Sequence, residues 1–215
     1  MATTIQERRI ASTHEHNGAT PAAAAKPTEW GNSAPLALAA FAVTTFMLSM
    51  VNADFVSKGV EPAVFGVALM FGGLTQLLAG LIQLRTGNTF AGVLFSGFGA
   101  FWLSLFAIAE FFFKAIPPDQ VGHALGLFVY AFALFVISMT IASFRTNGIV
   151  VAALLLVIGA LFALGAGNYG AHATLVHWGG YLGLGAAALA LYLSCAETCE
   201  ETYGHSILPV WPLNR

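Results

Sequence analysis

Two side-chain amides, Asn52 and Gln76, stand inside stretches that are otherwise almost wholly apolar. An amide carries two N–H donors and an acceptor oxygen, and hydrocarbon satisfies none of them. Such a group faces a partner helix, a bundle interior or a water-filled path. The hydroxyls of Thr44, Thr45, Thr75, Ser96, Ser104, Ser138 and Thr140 carry a weaker signal, since each can bond a carbonyl of its own helix. Gln83 and His177 complete the set. No Lys or Arg falls in the middle of any apolar stretch. An anion crossing there meets only amides, hydroxyls and helix N-termini, or else crosses protonated. Both routes suit a small weak acid with a pKa near that of Asp and Glu side chains. A large or doubly charged solute would lose too much solvation.

The element that must position these groups begins at Asn32. The run Asn32–Phe55 opens with Asn32, Ser33 and Pro35, residue types that cap and start a helix. It continues without charge from Leu36 to Leu48, and from Pro35 to Phe55 it is close to the ~20 residues that cross a bilayer. Its partly positive N-terminus, flanked by amide and hydroxyl donors, suits a small anion. Phe41 on this helix and Phe98 further on are candidates for an apolar constriction.

Apolar runs of this length recur through the rest of the chain. The 215 residues are 58% hydrophobic and only 8% charged, against roughly 25% charged residues in soluble domains. The chain reads as an all-α integral membrane protein, a six-helix bundle. The predicted spans are residues 35–56, 63–84, 90–113, 121–144, 148–167 and 173–196, flanked by a flexible tail over 1–31 and a short C-terminal tail over 199–215. The tail holds Arg8-Arg9, but its only apolar run, Ala22–Ala25, is cut short by Lys26 and Pro27, so no cleaved signal peptide is read. The connections are short, which makes sequential helices antiparallel. With six spans, Arg8, Arg9, Lys26, Arg85, Arg145 and Arg215 share one side and Lys58 and Lys114 the other, placing both termini in the cytoplasm.

Other residues admit rival chemistry. His123, His172 and His177 lie near helix ends, where two imidazoles could hold a haem; His172 and His177 are five apart and do not share a helix face. Cys195, Cys199 and His205 could be read as a metal group, although free thiols are the plainer reading. Glu110 and Lys114, four apart, suggest a helix-surface ion pair. Trp30, Trp102, Trp178 and Trp211 are expected near the bilayer interfaces. No catalytic constellation, cofactor or metal site is assigned. With only eight Lys and Arg there is no nucleic-acid surface.

Several blocks carry a resemblance. Asn32-Ser33-Ala34-Pro35-Leu36-Ala37-Leu38 is similar to an NPAPLGL signature; Phe41, Thr44-Thr45 and Asn52-Ala53 follow it. Then come Phe71-Gly72-Gly73, Gln76, Ala79-Gly80, Gly87-Asn88-Thr89-Phe90, Gly99 to Trp102, Gly167-Asn168 and Leu208-Pro209. Over about residues 32–210 the chain resembles the acetate uptake transporter family, which includes bacterial succinate–acetate permeases and fungal acetate/ammonia transport proteins. The resemblance implies six helices per subunit, a homo-hexamer in a plasma or inner membrane, one path per protomer, and transport of acetate or a similar small carboxylate, succinate in some members. It implies a mouth shaped by Asn32 and Pro35, a polar face of Thr44, Thr45 and Asn52, further donors at Gln76, Asn88 and Asn168, and a constriction of Phe41, Phe98 and Val157.

The sequence departs from the pattern at Ser33 for Pro, Ala37 for Gly, Asp54 for a small residue and Gln83 where an acid is frequent. These bear on substrate range and proton coupling. Three readings stay open: a proton-coupled carboxylate transporter, a passive anion channel, and a non-transporting membrane subunit such as a bis-histidine cytochrome.

Overall fold

A computed structural model describes residues 30–213; the basic residues Arg8, Arg9, Lys26 and Arg215 and most of the predicted N-terminal tail lie outside that range. Six helices in it are long and apolar enough to cross a membrane. They are α1 (Ala34–Asn52), α2 (Lys58–Arg85), α3 (Thr89–Ala115), α4 (Pro118–Ser143), α5 (Gly148–Tyr169) and α6 (Ala173–Tyr203). Each packs on the next, and α6 returns to α1, so the bundle closes with its thinnest seam between α3 and α4.

The helix starts follow local chemistry. Pro35 sits in the first turn of α1, where its missing N–H costs nothing. Asn88 Oδ1 accepts the Ala91 N–H (3.1 Å) to cap α3, and Asn147 Oδ1 accepts the Val150 N–H (3.0 Å) to cap α5. Small residues bring backbones together, as they must where lipid offers no hydrophobic drive between helices. A methyl group on Gly80 of α2 would stand 2.5 Å from the Ser96 backbone nitrogen of α3. The outward faces stay apolar: Leu127, Leu134 and Ile141, seven residues apart on α4, are each 69% exposed.

The structure departs from the sequence reading at four places. α2 and α3 are not continuous α-helices, because each contains a π-helical stretch, Ala68–Thr75 and Ile108–Phe112. The second puts Glu110 in π geometry and Lys114 in a 3-10 turn, so the regular i, i+4 register their ion pair needs is lost. Trp102 is 2% exposed; it faces the bundle interior, not the bilayer interface, because α3 buries that face. The last helix runs on to Tyr203 and ends at Gly204 in the left-handed conformation (φ 75°). Hydropathy drops near Ala196, but backbone hydrogen bonding does not depend on hydropathy.

Candidate functional site

Two neighbouring cavities are found among the described residues of the bundle. The larger, about 690 Å³, extends from the end of the bundle where α1 begins and α6 finishes. The smaller, about 50 Å³, lies deeper, among Thr45, Ser49, Asn52, Trp102 and apolar neighbours. That is room for a few water-sized groups, at roughly 10–15 Å³ each. Three residues line both cavities: Phe41 of α1, Phe98 of α3 and Val157 of α5. The Phe41 and Phe98 rings stand 4.8 Å apart between centroids, tilted by 55°. All three side chains are less than a tenth exposed. The two chambers therefore meet at an apolar pinch made by side chains from three helices.

Above the pinch, Gln76 lines the larger cavity. It is completely buried, and neither its Oε1 nor its Nε2 has a protein partner among the described residues. It sits at the first α-helical residue after the π stretch of α2. Below the pinch, Thr45 Oγ1 and Trp102 Nε1 are likewise buried without a protein partner, on residues that line the smaller cavity. Buried polar groups are normally bonded. Here Gln76, Thr45 and Trp102 carry unpartnered atoms on cavity-lining residues on either side of an apolar constriction, while Ser96 Oγ is also unpartnered and lines neither cavity.

Asn32 and Asn88 line the larger cavity near its mouth, and Asn52 lines the smaller. Thr44 and Asn168 line neither. Thr44 Oγ1 donates to Ala40 O (2.8 Å), and its side chain packs where Gly72 of α2 leaves space. Asn168 Nδ2 donates to Leu164 O (2.8 Å) in its own helix. At the start of α1, Asn32 Oδ1 accepts the Ala34 N–H (3.0 Å), and Pro35 has no N–H. The Ala34 N–H at this N-terminus thus has the chain's own acceptor. Two of the departures meet here: Ser33 Oγ donates to Ala79 O (2.8 Å), and the Gln83 amide lies 3.0 Å from both Ser33 Oγ and Asn32 Oδ1. Asp54 is exposed in a left-handed turn (φ 60°) and lines neither cavity.

The mouth carries charge. Glu197, Glu200 and Glu201, on one face near the end of α6, line the larger cavity together with Arg145, Thr146 and Asn147 of the α4–α5 connection. Asn32 Nδ2 donates to Glu197 Oε2 (3.4 Å). No three His, Cys, Asp or Glu among the described residues converge as a metal-binding group. Cys195 and Cys199 are free thiols with sulfurs 4.0 Å apart. The His123 ring packs on Tyr169 (4.4 Å) with its Nδ1 3.1 Å from Gln120 Oε1.

Residues 16–215 match the GPR1/FUN34/yaaH family. The chain belongs to that family. It is 30% identical over 185 residues to the succinate-acetate/proton symporter SatP of Escherichia coli K12, covering 85% of this chain and 96% of that protein. It is 33% identical over 182 residues to ammonia transport outward protein 2 of Saccharomyces cerevisiae, covering 81% of this chain and 64% of that one. A solved structure of the bacterial acetate channel SatP superposes with a TM-score of 0.79 at 27% identity, covering 85% of this chain and 99% of that chain. These GPR1/FUN34/yaaH relatives are transporters or channels in name, which gives no support to the cytochrome reading of His123, His172 and His177. Sequence reading missed the charged mouth of this family member. Glu200 and Glu201 lie past the point where hydropathy falls, and Arg145 bears in the sequence only on topology; the i, i+3, i+4 spacing of Glu197, Glu200 and Glu201 is the available signal.

Proposed function

We propose that this GPR1/FUN34/yaaH protein carries acetate and similarly small monocarboxylates across a membrane, one path per protomer, together with a proton. The observation that carries the reading is Gln76: a fully buried amide without a protein partner, on the wall of a cavity that ends at an apolar pinch. Its N–H groups suit a carboxylate oxygen, and the pinch favours a solute with a small apolar end. Beyond it, Thr45, Asn52 and Trp102 offer neutral donors in a chamber of about 50 Å³, the scale of a molecule with a few heavy atoms. Asn32 and Asn88 would act at the mouth. Thr44 and Asn168, whose polar groups bond within their own helices, act by shaping α1 and α5. A homo-hexamer in a plasma or inner membrane with both termini cytoplasmic completes the reading. It rests on the family resemblance and on the distribution of basic residues.

Passive passage of the anion is the second reading. It is favoured by the smaller cavity, which no titratable side chain among the described residues lines. Uptake of labelled acetate into proteoliposomes, with and without an imposed pH gradient and against protein-free vesicles, tests both. Protein-dependent uptake that the gradient accelerates supports coupling, and equal uptake in both conditions supports the channel. No protein-dependent uptake in either condition removes transport of acetate altogether.

A further inference from the structure

Among the described residues, Arg145 is the one basic side chain that lines the larger cavity. It stands on the α4–α5 connection, which the C-terminal segment holds in place. The Gly148 N–H donates to Trp211 O and the Leu213 N–H to Thr146 O, both at 2.9 Å, around a bridge between Asn147 and Pro212. Tyr192 Oη donates to Pro209 O (3.0 Å), tying the same segment to α6. Val210 of that segment forms part of the cavity wall. The guanidinium therefore rises from a braced loop.

The carboxylates of Glu197, Glu200 and Glu201 line the same cavity from α6. A residue i with i+3 and i+4 lies on one helix face. Asn32 Nδ2 reaches Glu197 and helps hold this row. One formal positive and three formal negative side chains thus line this cavity at the end where α1 begins and α6 finishes. The unpartnered amide of Gln76 marks the same cavity as the place where a solute is received.

We propose that this ring, Arg145 against Glu197, Glu200 and Glu201, is a filter for substrate charge, admitting monocarboxylates and turning back dicarboxylates. The inference rests on the carboxylate reading above. A monoanion meets a modest net repulsion at the ring, which Arg145 reduces. A dianion meets twice that repulsion, because electrostatic energy scales with the solute's charge. Each single-charge change at the ring must shift the two substrates unequally, the fold-change for the dianion being the square of that for the monoanion. The ring is open to water, so the effect is screened by salt.

The test uses the full chain in proteoliposomes, with labelled acetate and labelled succinate at a pH where succinate is doubly ionised. Arg145→Gln is expected to raise the acetate KM by roughly two- to five-fold at low ionic strength, with kcat kept, and the succinate KM by roughly four- to twenty-five-fold. Added salt should shrink both effects, Arg145→Lys should restore both values, and Glu200→Gln should shift both in the opposite direction. Equal fold-changes for the two acids, insensitivity to salt, or Arg145→Gln and Glu200→Gln moving KM the same way would overturn the filter. Absence of wild-type acetate uptake would overturn the transport reading itself, a failure distinguishable from these.

Discussion

Replacing Gln76 by Leu separates a residue that serves a solute from one that serves the fold. No described protein group bonds the Gln76 amide, so the change removes no protein–protein hydrogen bond. Leu is apolar and of similar length. Volume-conserving changes in packed interiors usually cost less than about 1.5 kcal/mol. Removing a buried amide from an apolar wall also lifts a desolvation cost of roughly 1–3 kcal/mol. Thermal stability in detergent should therefore hold or rise. Transport should move the other way. A hydrogen bond to a charged group is worth about 1.5–3 kcal/mol, which corresponds to a loss of roughly ten- to one-hundred-and-fifty-fold in kcat/KM for acetate. The two measurements are made on one preparation: a melting curve by intrinsic fluorescence and initial rates of acetate uptake. A variant that melts several degrees lower yet transports normally would show that Gln76 supports packing. The assignment of the larger cavity as the substrate path would then lose its main support.

Phe98→Ala removes one ring of the pinch and its contacts with Phe41 (4.8 Å) and Phe135 (6.3 Å). Uptake of a four-carbon monocarboxylate relative to acetate should rise by roughly ten-fold or more, and an unchanged ratio would place the constriction elsewhere. Thr44→Val keeps the side chain's shape and deletes only a bond to Ala40 O within the same helix. Acetate uptake should stay within about two-fold, since the lost hydroxyl served its own helix, and a large loss would return Thr44 to the path. Gly80→Ala places a methyl 2.5 Å from the Ser96 nitrogen. Overpacking of this kind costs about 1–3 kcal/mol, to be read as a lower melting temperature, whereas an unshifted one would mean that α2 and α3 can part freely there.

The membrane class, the number of helices and their short connections were legible in the chain because they depend on local properties. A run of about twenty apolar residues must satisfy its backbone within itself, and in a membrane that means a helix. The motifs around Asn32, Gln76, Asn88 and Asn168 were equally plain to the eye. What each residue does was not, because a hydroxyl or amide in an apolar helix has the same letter whether it bonds its own turn or faces a cavity. Thr44 and Thr45 are adjacent and chemically identical, yet one bonds Ala40 O and the other lines a chamber without a protein partner. Their side chains diverge by about 100° around α1, and only the packing of α2, α3, α5 and α6 decides which direction is wall and which is opening. The meeting of Ser33 with Gln83 and the charged mouth lined by Arg145 and the last turns of α6 arise the same way. They join residues far apart in the chain, and the distances that make them chemistry exist only once six helices have closed on one another.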